Sequence, residues 1–175
     1  IVTIDARIGD PRIGSGFFVS PRHILTNRHV VDGAHGKVAF MSETIGQPQA
    51  AEVIAMSEQN RTDLALLLVP INSSNNFIFS LHLAPNKLEN VIAAGYPGAV
   101  LNHDDWLVSR KPPALVLTRG QISSRTRAPN DSSILTHTAK IMGGNSGGPL
   151  IDVCGRVVGI NTFIAYDADR PESGN

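Results

Sequence analysis

Apolar residues in this chain come in short, often alternating runs separated by turn-forming clusters, and no long stretch repeats at helical spacing. In the first half the runs fall at residues 1–4, 16–20, 24–26, 37–41, 50–56 and 64–69. Gly9-Asp10-Pro11, Ser20-Pro21, Asp32-Gly33 and Gly46-Gln47-Pro48 punctuate them. Six short strands so spaced predict an antiparallel barrel. The polar break Asn72-Ser73-Ser74-Asn75-Asn76 opens a crossing, with residues 77–79 and 81–83 as its apolar lining. Beyond it lie five more runs, at 91–95, 114–123, 133–139, 148–152 and 156–163, and residues 166–175 read as a polar loop. The expected organisation is one all-β domain over 1–175: an N-terminal barrel (1–72), a crossing (73–90) and a C-terminal barrel (91–175).

The candidate chemistry centres on Met142-Gly143-Gly144-Asn145-Ser146-Gly147-Gly148-Pro149-Leu150. Serine flanked by glycines, with proline close behind, suits a tight turn and neither helix nor strand. Such a turn can present a hydroxyl nucleophile beside backbone N–H groups that receive an oxyanion; alone, it equally describes a glycine-rich surface loop. Two other segments change the balance. His29 follows the strand-like run 16–25, and Asp63 immediately precedes the apolar run 64–69. A histidine serves as base for a serine when a third group fixes its tautomer, and the order His29, Asp63, Ser146 is that of one established triad arrangement. Otherwise His29 reads as a core histidine and Asp63 as a strand cap. Gly144-Asn145-Ser146-Gly147-Gly148 also fits G-x-S-x-G, but that elbow needs a helix after the serine and its partners later in the chain. Gly-Gly-Pro follows here, and the acid and base come earlier.

GSGFFVSPRHILTNRHVV (14–31), TDLALL (62–67) and GGNSGGPL (143–150) resemble the three signature blocks of trypsin-like serine proteases, and most closely those of the HtrA (Deg) group. Residues 156–162 match as well. The resemblance implies a chymotrypsin-like fold of two six-stranded antiparallel β-barrels, the last strand of the second missing from this sequence. No PDZ module is expected within the residues that follow the last strand. The resemblance also implies peptide-bond hydrolysis by Ser146, His29 and Asp63, with the N–H groups of Gly144 and Ser146 as oxyanion hole and Thr162 bonding the acid from behind. Polypeptides would be the substrates, and a homo-oligomer or loop ordering the route to activation. A pseudoprotease on the same fold and an esterase with the same triad are the rival readings.

Composition narrows the classes further. Lys+Arg 15 against Asp+Glu 15 gives a formal net charge of +0, which argues against a nucleic-acid partner. No apolar run approaches a membrane span. Cys154 is the single cysteine, so no internal disulfide forms; this fits a reducing compartment or a lineage without bridges. It reads as part of a hairpin turn. No metal-ligand spacing or cofactor motif stands out, and His23, His35, His82, His103 and His137 read as scattered and mostly solvated.

Ile1-Val2 looks like the mature end of a cleaved trypsin zymogen, but Asn145 precedes the serine and offers an ammonium no counter-charge. Activity is therefore expected not to depend on a free Ile1 amine, and the chain to start after processing or trimming. Lys140, Ile141, Met142, Asn161, Thr162 and Phe163 frame the expected substrate pocket. A buried ammonium without a carboxylate is costly, so Ile141 is placed inward and Lys140 toward solvent. That favours cleavage after valine, alanine or leucine; the reverse placement, helped by Asn161, would favour acidic residues. Residues 98–111 form a long loop in which Trp106 either meets a partner or packs on its own barrel.

Overall fold

The computed structural model describes residues 2–5, 13–34, 37–58, 62–70, 78–97, 114–128 and 132–162, leaving aside the side chains of 2–5 and 37. In the first half, β1 (Val2–Asp5), β2 (Ile13–Ser20), β3 (His23–Thr26), β4 (Lys37–Met41), β5 (Gln49–Met56) and β6 (Ala65–Leu68) close into an antiparallel barrel in the order β1-β2-β3-β6-β5-β4. The pairing β1 with β4 completes the ring, so no strand edge is left open in it. Inside, Phe18, Ile24, Val38, Phe40 and Leu67 pack with Val30 and Val31 of α1 (Arg28–Val31), a single helical turn after β3.

The second half forms a five-stranded antiparallel sheet, β11-β10-β7-β8-β9, from β7 (Asn90–Gly95), β8 (Val116–Arg127), β9 (Ser133–His137), β10 (Pro149–Asp152) and β11 (Val157–Ile160). Val91, Ala93, Ile122, Ala139 and Leu150 form its core, with Leu135, Ile141 and Val158 packed against them. β8 runs to Arg127, beyond the expected end at residue 123. Its final residues pair with β9 as far as Arg127 opposite Ser133, yet they are mostly solvent-exposed on both faces. A strand of that kind carries no apolar alternation to announce it.

The two halves meet along β2, which is buried on both faces. Phe18 enters the barrel core, whereas Phe17, fully buried, meets Phe79 of the crossing edge-on at 5.8 Å. Ser15 lies on the same face as Phe17 and is likewise sealed from solvent. Every other residue from 14 to 18 is buried too, which is why β2 reads as a continuous apolar-and-small run rather than an alternating one. The crossing itself docks on the outer edge of β11, through Val157 N–H to the Ser80 carbonyl (2.8 Å) and His82 N–H to the Val157 carbonyl (2.8 Å).

Candidate active site

Residues 142–148 fold as two turns in tandem. The Asn145 N–H donates to the Met142 carbonyl (3.0 Å) and the Gly148 N–H to the Asn145 carbonyl (2.9 Å). In each turn the third position has positive φ, 95° at Gly144 and 86° at Gly147, while the second does not. That is the type II pattern, which glycine adopts without steric cost. At Gly147 space matters as well: a β-carbon there would overlap the Ser15 carbonyl oxygen and the Thr26 hydroxyl, and would stand 3.0 Å from the Asn27 nitrogen. The GGNSGG spacing thus places Ser146 at the second position of the second turn, on a loop seated against Thr26 and Asn27. Ser146 is only 4% exposed. Among the described residues the Gly144 N–H has no acceptor.

Asn27 leads directly into α1 and so to His29. Asp63 grips His29 at two points: Oδ2 lies 2.6 Å from the ring Nδ1, and Oδ1 accepts the His29 backbone N–H at 2.9 Å. The loop bearing Asp63 is tied at its base by the Ser57 N–H to the Leu64 carbonyl (2.9 Å) and by the Ser57 hydroxyl to the Thr62 carbonyl. Arg28 adds a bond from Nη1 to the Ser57 carbonyl (2.6 Å). Burial pushes the Asp63 carboxyl up, but the bonds and charge of His29, with the Arg28 N–H, outweigh it and hold Asp63 below the usual carboxylate range. The side chains of His29 and Asp63 are 45% and 36% exposed, so the pair stands at an open rim.

Thr162 does not bond the Asp63 carboxylate. Its hydroxyl is engaged with the Asn27 side chain (Nδ2 to Oγ1, 3.1 Å), and the same Asn27 Nδ2 donates to the Asp63 backbone carbonyl at 2.7 Å. Asn27 therefore stands between the residue expected behind the acid and the acid itself. Asn161, also expected at the pocket, is buried, and its Nδ2 is spent on the Ala94 and Pro149 carbonyls (3.2 and 3.1 Å). Ile141 packs against the second core, while Lys140 is exposed and its carbonyl accepts the Thr118 hydroxyl (2.6 Å). Met142 is 46% exposed. Phe163, Ile1, Trp106 and the loop at 98–111 lie outside the described residues, as do His35 and His103.

The other described histidines are partly buried rather than solvated. His23 Nδ1 pairs with the Ser20 hydroxyl at 2.7 Å. Burial lowers the pKa of His137, partly offset by the Ala139 backbone. His82 Nδ1 lies 3.2 Å from Asp152 and 3.5 Å from Glu89. That trio has the ligand types for a cation, but Arg156 enters it, with Nε 2.7 Å from the same Asp152 oxygen. Cys154 sits exposed in the hairpin turn below it.

A family model described as the trypsin-like peptidase domain matches residues 14–160. The chain belongs to the trypsin-like peptidase family. Within that family its structural neighbours include HtrA-type proteases. It is 31% identical to a probable periplasmic serine endoprotease, DegP-like, of Pseudomonas savastanoi, over 87% of this chain and 29% of that protein. It is 30% identical to the serine protease Rv3671c of Mycobacterium tuberculosis, over 88% of this chain and 36% of the relative. The crystal structure of the active form of Rv3671c superposes with a TM-score of 0.69, covering 95% of this chain and 70% of that one at 27% identity. The HtrA-type protease AlgW with tripeptide shares the fold, with a TM-score of 0.75 at 24% identity over 92% of this chain and 50% of the other. The chain spans 25 to 36% of the length of the curated relatives it matches first. Sequence reasoning passed over two buried polar residues of this trypsin-like domain, Ser15 and Asn27, although both lie inside the quoted blocks. Ser15 stands just before the apolar run 16–20 and Asn27 just after the run 24–26, so neither interrupts a run and nothing local marks them as buried.

Proposed function

We propose that this domain is a serine endopeptidase that hydrolyses peptide bonds through an acyl-enzyme on Ser146. The two-point hold of Asp63 on His29, 2.6 Å at the ring and 2.9 Å at the backbone, carries the reading. With Nδ1 committed to Asp63, Nε2 is the nitrogen that takes the proton from the Ser146 hydroxyl as its oxygen attacks the substrate carbonyl. The imidazolium then protonates the leaving amine, and water attacks the acyl-enzyme by the same route in reverse. The electron pair displaced onto the carbonyl oxygen is received by the N–H groups of Gly144 and Ser146. Ile141 packed inward and Lys140 facing out support an apolar specificity pocket and cleavage after valine, alanine or leucine.

Substituting Ser146→Ala is expected to lower turnover by roughly three or more orders of magnitude. Casein cleavage by that variant at near wild-type rate overturns the assignment. Fluorophosphonate labelling separates this reading from a pseudoprotease, and casein digestion separates it from an esterase. A peptide-library profile dominated by acidic residues, and abolished by Lys140→Ala, would reverse the pocket assignment.

A further inference from the structure

Four hydrogen bonds converge on Ser15, which is 0% exposed and distant in sequence from everything it binds. Its hydroxyl donates to the Gly144 carbonyl at 2.7 Å and accepts the Tyr96 N–H at 2.9 Å. Its N–H donates to the Ser146 carbonyl at 2.7 Å, and its carbonyl accepts the Thr26 hydroxyl at 2.7 Å. One residue of β2 therefore holds the carbonyls on both sides of Asn145, one by side chain and one by backbone.

The consequence follows from peptide planarity. The Gly144 carbonyl belongs to the 144–145 peptide, and that plane is pinned by the Ser15 hydroxyl at one end and by the Asn145 N–H to Met142 bond at the other. The aim of the Gly144 N–H then depends only on rotation within Gly144, whose φ of 95° is the soft torsion of a residue without a β-carbon. A glycine turn is cheap to form and equally cheap to distort, so its geometry has to be imposed from outside. The Ser15 backbone alone could brace Ser146; the Gly144 peptide needs the hydroxyl. Tyr96, just beyond β7, is linked through the same oxygen, so the turn is referenced to both halves of the domain at once.

We propose that the Ser15 hydroxyl is a positioning residue for the oxyanion hole, setting the direction of the Gly144 N–H without touching substrate. The inference rests on the serine-peptidase reading of Ser146. Its signature is a loss confined to the state in which the carbonyl oxygen carries negative charge. In the Ser15→Ala protein kcat should fall about 10- to 100-fold with KM changed less than about threefold, somewhat less than the loss of a whole oxyanion donor.

The test pairs two ligands that differ only in that state: a valine-terminated peptide aldehyde, whose carbon bonds Ser146 Oγ to place an oxyanion-like oxygen in the hole, and the corresponding peptide alcohol, which binds without a covalent bond. Aldehyde affinity should fall in step with kcat, alcohol affinity should hold, and the pH profile of kcat/KM should keep its shape. Wild-type kcat and aldehyde affinity in folded Ser15→Ala overturn the proposal. Parallel loss of aldehyde and alcohol affinity also overturns it, since that is a collapsed site and a purely structural role. Should the alanine variant fail to fold, Ser15→Cys keeps the volume with a far weaker donor. It should show the same selective loss, and unchanged kcat in it overturns the proposal equally. Wild-type protein inert to the aldehyde, together with unaltered turnover in Ser146→Ala, would instead bring down the peptidase reading itself and this inference with it.

Discussion

Asp63 shows how much one carboxylate can be asked to do at a half-exposed position. Its burial is partial, and on its own would favour the neutral acid; the contacts with His29 reverse that preference. Because the folded-state pKa is lowered, the associated stability is present above the unfolded value near 4 and is lost as pH falls through the folded one. Asp63→Asn removes that contribution, so its stability should change less than wild type between pH 5 and pH 3, measured by denaturant unfolding at both. The same substitution should lower kcat by about four orders of magnitude at neutral pH, since an amide can present its N–H to Nδ1 and hold the ring in the wrong tautomer. A variant within tenfold of wild type would mean that Asp63 supports His29 only sterically.

At the scale of elements, the hairpin between β10 and β11 is held by Asp152 rather than by its turn residues. Its Oδ1 accepts the Cys154 and Arg156 N–H groups, both at 2.9 Å, and Oδ2 accepts Arg156 Nε at 2.7 Å. Burial pushes this carboxyl up, yet the Arg156 and Cys154 bonds, with His82, bring it below its ordinary value. Asp152→Ala leaves several donors facing an empty site, and should cost about 3 kcal/mol. Thermal unfolding checks this; a loss under about 1 kcal/mol would show that the arginine and water replace the carboxylate. The tandem turns are a second element with no slack. Gly147→Ala must accommodate a β-carbon at a φ of 86° against the Ser15 carbonyl, so it should abolish casein cleavage even where circular dichroism reports native strand content.

For the whole molecule, the question is what joins a closed barrel to a five-stranded sheet with a separate core. β2 does, through the odd-numbered face that carries Ser15 and Phe17. Phe17→Ala should cost about 3–5 kcal/mol, the range for a fully buried phenylalanine. Because Phe17 and Ser15 share one face of β2, turnover of the folded fraction should fall as well. Unfolding with a large stability loss but undiminished turnover at low temperature would show that the two halves hold their alignment without it.

Much of this protein is local and therefore legible in sequence. Short apolar runs between Gly and Pro clusters identify eleven strands, with the start of β2 and the ends of β8 and β11 misjudged by three or four residues. GGNSGG marks a tight turn, because glycine takes the positive φ found at 144 and 147 without steric cost; that the segment makes two turns in tandem is read from the structure. The order His29, Asp63, Ser146 nominates three side chains, and the structure brings His29 and Asp63 into contact and seats the Ser146 loop on Asn27. What tertiary structure alone decides is where leftover hydrogen-bonding capacity goes. The polar end of β8 is a strand only because β9 pairs with it. His82 is drawn into a hydrogen-bond network with Asp152 and Arg156 only because the crossing docks beside Asp152. Ser15 and Asn27 look unremarkable in sequence, since the carbonyls they hold lie 129 and 36 residues away. A buried polar group must find a partner, but its own neighbours in the chain do not say which one, and here that choice determines how the candidate site is braced.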